Sequence, residues 1–294
     1  MAISQFLIYW VYIIPLFDGQ DIVLSGSLWW LFIIDTVLIA AAGYVINDII
    51  DQKADQLNKP TRLYLGPSHL SEKSVWFYFG FLVLVGFMIA LYIAYSIEKI
   101  HLLLIYPTAV GLLYLYSKSF KKLPLIGNLV VAIFCAFVPG IILYAEWDVL
   151  EVAKVSSPSE YEFIFGMFLS YLTFAFLSSL IRELVKDIED IEGDKLVGYK
   201  TYPVVYGEKK AKVLCINVCL VLIISYGLWF LPFIAADFLG IIVGLISAIF
   251  FFSLFILHRM IHANEKQDFS TISKWLKILM VLSLFVFLCI PFFT

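Results

Sequence analysis

Residues Ser27 to Asp55 read SLWWLFIIDTVLIAAAGYVINDIIDQKAD. The first twenty, to Ile46, hold one charged side chain, Asp35, and are long enough to cross the hydrocarbon core of a bilayer as a helix. From Asn47 the character changes. Asp48, Asp51 and Asp55 recur at i, i+3 and i+7, which at about 100° per residue keeps them within roughly 60° of one helix face. A membrane-length apolar segment therefore ends in a blade of three carboxylates. The same pattern, Asp-Ile-x-Asp-x-x-x-Asp, returns as Asp187-Ile188-Glu189-Asp190-Ile191-Glu192-Gly193-Asp194, again where an apolar segment ends.

The whole chain follows the lead of this stretch. Its 294 residues are 62% hydrophobic and only 15% charged, against about 25% charged in an ordinary soluble domain. The apolar residues come in long runs, the mark of an all-α polytopic membrane protein. We expect nine transmembrane helices in one bundle, near 3–17, 27–46, 75–96, 100–117, 124–145, 162–181, 212–232, 237–258 and 274–293, forming a single domain over 1–294. Of the 20 Lys and Arg, all but Lys99 and Lys154 lie in or beside the connections after the even-numbered spans. The positive-inside rule makes those connections cytoplasmic, with the N-terminus inside, the C-terminus outside and both blades at the cytoplasmic face of the cell (inner) membrane.

Four spans separate the blades, so their helices run in the same direction and the repeat is parallel. Long polar connections, about 51–73 and 182–211, follow the blades and are placed to act as lids or supply ligands. The first span is short, and no Lys or Arg precedes Lys53. That excludes a signal peptide with a basic leader. It leaves a minimal first helix or a start codon placed downstream of the true one. Cys135, Cys215, Cys219 and Cys289 fall in apolar spans without CxxC spacing and read as buried structural thiols. His258 and His262, beside Arg259, read as an interfacial surface. Gly240-x-x-x-Gly244 and Ala40-Ala41-Ala42-Gly43 read as faces for close helix packing. There is no Gly-rich phosphate loop and no nucleic-acid patch.

Clustered carboxylates repel one another unless positive charge sits among them. Their hard oxygens suit Mg²⁺, which keeps several waters and commonly shares its shell with substrate phosphates. Two such blades at one membrane face fit a diphosphate held between them, where a single blade could be a solvated helix end. Basic residues supply the complement: Lys59 and Arg62 after the first blade, Lys118 and Lys121 after the fourth span, Arg182 and Lys186 before the second blade, and Lys195 after it. Any one of these could simply obey the topology rule; together they match the oxygens of a diphosphate. A metal-bound diphosphate on an allylic isoprenoid is a good leaving group, and the carbocation it leaves is shielded from water inside a helical bundle.

Asn47-Asp48-x-x-Asp51-x-x-x-Asp55 with Asn58-Lys59-Pro60, and Lys186-Asp187-x-x-Asp190-x-x-Gly193-Asp194-Lys195 with Lys200-Thr201 and Pro203, resemble the two signatures of the UbiA superfamily of intramembrane prenyltransferases. Tyr116-Ser117, Lys121 and Gly127-Asn128 resemble a further stretch of that family. The resemblance implies Mg²⁺-dependent transfer of a polyprenyl group from its diphosphate to a lipid or aromatic acceptor. It implies a first metal and diphosphate site at Asn47, Asp48, Asp51 and Asp55, and a second at Asp187, Asp190 and Asp194. Asp51, Asp55, Asp187 and Asp190 would be the carboxylates central to catalysis, and Lys121, Arg182 and Lys186 would be diphosphate contacts.

The lead-in Arg182-Glu183-x-x-Lys186-Asp187 is similar to the geranylgeranylglyceryl phosphate geranylgeranyltransferases, in which a glycerol hydroxyl attacks the allylic cation. Homogentisate prenyltransferases and chlorophyll synthases share much of the second motif, and 4-hydroxybenzoate enzymes match it less well. The first span and Arg62-Leu63-Tyr64-Leu65-Gly66 depart from the family pattern, which leaves the acceptor open. A group that activates the acceptor is also left open among Glu183, Glu189, Glu192 and Asp35. A cation-coupled transporter is the rival from another class. It fits poorly, because transporters place such charges near the bilayer midplane, often in inverted repeats.

Overall fold

The computed structural model describes residues 2–16, 22–58, 71–235 and 240–289, and every regular element among them is helical. Eight helices are long and apolar enough to cross a membrane; Ala2–Ile13 is a shorter apolar helix. In chain order the α-helices are α1 (Ala2–Ile8), continued by a π turn at Tyr9–Ile13 and α2 (Ile14–Leu16), α3 (Ser27–Asn58), α4 (Glu72–Ser96), α5 (Ile105–Lys118), α6 (Ile126–Ala145), α7 (Trp147–Ser156), α8 (Pro158–Glu189), α9 (Ile191–Leu196), α10 (Tyr202–Tyr206), α11 (Glu208–Ala235), α12 (Gly240–His262) and α13 (Lys266–Cys289).

Several helices outlast their hydropathy. The expected segment 27–46 is the first part of α3, which runs on to Asn58 and carries the whole first motif on helix. The segment 162–181 lies within α8, which reaches Glu189. Polar residues continue a helix freely once its apolar part has nucleated it. Local signals set other ends. Ser71 caps α4 by accepting the Ser74 N–H, and Pro158 opens α8 at its first turn, where its missing N–H costs nothing. The connection 146–161 is mostly the amphipathic helix α7.

Helix α8 is the axis of the bundle. It packs against α6, α11 and α13 and touches α7, α9 and α10. From Leu177 to Val185 every side chain but Arg182 is buried, so this stretch is enclosed on all sides. A second group, α3 with α4 and α5, joins through α1, which contacts both α3 and α6. The π turn sets two aromatic anchors: Tyr9 stacks on Trp29 at 3.8 Å between centroids, and Tyr12 stacks on Phe287 and donates to its carbonyl. The Ala40–Gly43 face does pack closely, since a Cβ at Gly43 would lie 3.2 Å from Leu113. Gly244 faces open space, so the packing expected there is absent. Cys215 and Cys219 are buried, and all four cysteines are free. His258 and His262 are exposed, with no metal-binding group around them among the described residues.

At the end of the bundle opposite the motifs, Glu146 joins α6 to α7 and is fully buried. Its two oxygens accept the N–H groups of Val23 and Leu24, each at 2.8 Å. Burial pushes its carboxyl up, and the two backbone donors and then Lys99 oppose that rise. Lys99 itself pairs with Asp148 at 2.8 Å. The carboxylate thus clamps the chain entering α3. Glu146→Ala leaves two backbone donors without an acceptor, a cost of about 2–4 kcal/mol. Thermal unfolding in detergent should show a midpoint lowered by several degrees, with Glu146→Gln in between; unchanged midpoints in both would refute the clamp.

Candidate active site

Asn47 and Asp51 lie one turn apart on α3 and face inward, while Asp48, at the edge of the same blade, is exposed. The face that points into the bundle is therefore centred on Asn47 and Asp51. The Nζ of Lys121 donates to Asn47 Oδ1 at 2.9 Å and forms an ion pair with Asp51 Oδ1. Ser117 Oγ also reaches Asn47 Oδ1, at 3.4 Å. The side chain of Asp55, and all of Lys59 and Arg62, lie outside the described residues.

Lys121 owes its place to tight packing. It sits on a one-turn 3₁₀ helix, Phe120–Lys122, between α5 and α6. A Cβ on Gly127 would stand 2.7 Å from Lys121 Cα and 3.1 Å from the Phe120 carbonyl, so only glycine lets α6 start this close. The next residue, Asn128, donates Nδ2 to Asp187 Oδ2 at 2.8 Å and ties α6 to the second motif.

The second motif bends at its middle residue. Helix α8 stops at Glu189, Asp190 is the junction, and Asp194 lies on α9, so the expected straight blade is two short pieces. The bend has a use. α9 closes with a Schellman motif, in which Tyr199 N–H bonds Asp194 O at 2.8 Å and Gly198 N–H bonds Lys195 O, with Gly198 at φ +76°. That turn sends the Tyr199 hydroxyl to Asp51 Oδ1 at 3.1 Å. The Lys200 N–H also bonds the Lys122 carbonyl at 2.9 Å. The two motifs and the turn carrying Lys121 are thus fastened into one rim.

Asp194 is buried and accepts the Thr201 hydroxyl at 2.9 Å. Burial pushes its carboxyl up to about 6; the Thr201 bond pulls it back, Asp190 and Asp51 add to the rise, and Lys186 opposes it. That Asp51 is felt at Asp194 places the two motifs within electrostatic reach. Tyr116 of α5 lies in the field of Glu183, Asp187, Asp51 and Arg182 and so stands among them. Arg182 pairs with its neighbour Glu183, and its Nε is buried with no hydrogen-bond partner. Lys118, Lys186 and Lys195 are exposed at the rim, Lys118 against the Tyr114 ring. Tyr199 had no signal in the sequence. Asn128 and Thr201 stood only as parts of wider motifs.

The oxygens of Asn47, Asp51, Asp187, Asp190 and Asp194 are a donor set that fits Mg²⁺. Among the described residues, no three of them gather into a ready-made cage. This suits an ion that completes its shell with water and phosphate oxygens. The buried Nε of Arg182 also calls for an oxygen that none of the described residues supplies.

Comparison with known proteins agrees. The model of the UbiA prenyltransferase family matches residues 7–290. The digeranylgeranylglyceryl phosphate synthase of Saccharolobus solfataricus is 34% identical over 87% of this chain and 83% of its own. The chain spans 66% of the Pyrococcus horikoshii protein of that name. A solved digeranylgeranylglyceryl phosphate synthase superposes over 98% of this chain and 91% of its own, with a TM-score of 0.66 and 26% identity. A UbiA homologue of Archaeoglobus fulgidus, solved with DMAPP and Mg²⁺, covers 97% and 95% of the two chains with a TM-score of 0.55 at 19% identity. With its paired motifs, helical bundle and family match over residues 7–290, the chain belongs to the UbiA prenyltransferase family.

Proposed function

We propose that this chain is one membrane prenyltransferase domain. It moves a polyprenyl group, geranylgeranyl, from its diphosphate to the free hydroxyl of geranylgeranylglyceryl phosphate. One observation carries the reading: the Lys121 ammonium and the Tyr199 hydroxyl meet on the same oxygen of Asp51, so both motifs address one place. The names of the relatives support the acceptor, and the Mg²⁺ in the Archaeoglobus neighbour supports the metal.

In this reading Asn47, Asp48, Asp51 and Asp55 would hold one Mg²⁺, and Asp187, Asp190 and Asp194 would hold another. Bound Mg²⁺ supplies positive charge to the diphosphate as it departs. Lys121 and Lys186, with Lys59, Arg62, Lys118 and Lys195 at the rim, neutralise the remaining oxygens. Asn128 and Thr201 fix the orientation of Asp187 and Asp194. The apolar bundle keeps water from the allylic cation. The motif end is cytoplasmic, with Ala2–Ile13 as the first of nine membrane segments.

Asp51→Asn and Asp190→Asn should each lower transfer at least a hundredfold while the protein still inserts and folds. Normal Mg²⁺-dependent turnover in both would sink the two-site mechanism. Given labelled geranylgeranyl diphosphate with geranylgeranylglyceryl phosphate, 4-hydroxybenzoate or homogentisate, the protein should give only the ether lipid by mass; an aromatic product would refute the acceptor. Gly127→Ala should displace Lys121 and raise the donor KM several-fold, with the acceptor KM unchanged. A donor KM equal to wild type would show that the Lys121 turn absorbs the methyl group.

A further inference from the structure

Arg182 and Glu183 stand side by side on α8, about one turn before Asp187, joined through Nη1 and Oε1. Side chains on a helix lean toward its N-terminus, so both reach deeper into the bundle than the second motif. Their neighbours mark the depth. Both charges act on Cys135 of α6, where no Asp of either motif is felt. Cys135 lies two turns, about 10 Å of helix rise, beyond Asn128, which holds Asp187. The pair therefore sits beneath the level at which the motifs hold a diphosphate.

Glu183 is buried, yet its ion pair uses only Oε1; among the described residues no hydrogen bond reaches Oε2. Arg182 Nε is buried with no acceptor among the described residues. A buried donor left unmet is costly in an empty site and marks where a ligand completes it. A buried donor without an acceptor, next to a carboxylate with one oxygen left open, is the complement of an alcohol, which accepts one hydrogen bond and donates one. An oxyanion has nothing to donate to the carboxylate, and a nucleophilic ring carbon offers neither bond.

We propose that Arg182 and Glu183 form the nucleophile site for the acceptor: Arg182 Nε–H holds the acceptor hydroxyl oxygen, and Glu183 takes its proton. This rests on the hydroxyl-acceptor reading above and moves Arg182 from the diphosphate to the acceptor. In the step, the hydroxyl oxygen bonds to C1 of the prenyl group. The C1–O bond to diphosphate breaks, and its electron pair leaves with the diphosphate. The hydroxyl proton passes to Glu183 and from there to water. An alcohol that has added to a carbocation is a strongly acidic oxonium, so an ordinary carboxylate is base enough.

The test uses the full-length protein in liposomes, with each substrate varied in turn and donor binding measured separately with geranylgeranyl thiolodiphosphate. Glu183→Gln should lower kcat about a hundredfold, with the donor KM and analogue binding unchanged. Glu183→Asp should recover part of that rate, which a loss of packing alone would not allow. Arg182→Gln should raise the acceptor KM about tenfold and leave the donor KM alone. Full-rate turnover by Glu183→Gln, or a raised donor KM or lost analogue binding in either variant, would overturn the assignment. If the wild-type protein itself transfers to an aromatic ring and not to the glycerol lipid, the acceptor reading has failed first, and the variants are not needed to see it.

Discussion

Everything at the rim of this bundle depends on holding carboxylates close together where little water can screen them. Three members of the set have been given specific donors. Asp51 has Lys121 and Tyr199, Asp187 has Asn128, and Asp194 has Thr201. The donors come from the α5–α6 connection, the start of α6 and the turn after α9. The electrostatic requirement therefore fixes how those segments fold. The short 3₁₀ turn, the crowded Gly127 and the left-handed Gly198 are backbone solutions to it. Burial first, and then Asp190 and Asp51, still raise the Asp194 carboxyl against the pull of Thr201 and Lys186.

The far end of the molecule solves a related problem with the opposite means. Glu146 is a lone buried carboxylate, and two backbone N–H groups together with Lys99 offset it. Among the described residues its partners are donors and a cation. Between these ends α8 passes through the middle of the bundle, carrying Ser178, Ser179 and Glu183 among buried apolar side chains. A helix buried on all sides tolerates polar residues only where they meet partners. For Ser178 the partner is a backbone carbonyl of its own helix. The Arg182–Glu183 pair is only partly met.

Much of this was legible in the sequence because it is periodic. The apolar runs announced the membrane helices, and the recurrence of Asp48, Asp51 and Asp55 at Asp187, Asp190 and Asp194 announced the paired site. Helix ends were less legible, since hydropathy falls at Ile46 and Ile181 while the backbone hydrogen bonding runs on to Asn58 and Glu189. The bend at Asp190 could not be read, because it depends on the Schellman turn that follows it. Nor could the role of Tyr199, whose hydroxyl reaches Asp51 only once α3 and α9 are in contact. Gly244 shows the reverse error: a small-residue spacing signals close packing only when a partner helix lies opposite.

The two motif-bearing helices, α3 and α8, each have 32 residues. At 1.5 Å per residue each is about 48 Å long, against a hydrocarbon core of about 30 Å. Polar residues fall at the motif end of each, 47–58 and 182–189, so this surplus length lets the last turns reach the depth of lipid phosphates. A prenyl diphosphate already floating in the bilayer carries its charged end at that height and its tail below. It can reach the carboxylates by sliding in the plane of the membrane, without being lifted out of it. The concentration that sets the rate is then the mole fraction of substrate among the lipids. Diluting the membrane with inert lipid should slow such an enzyme, whereas diluting the surrounding water should leave its rate unchanged.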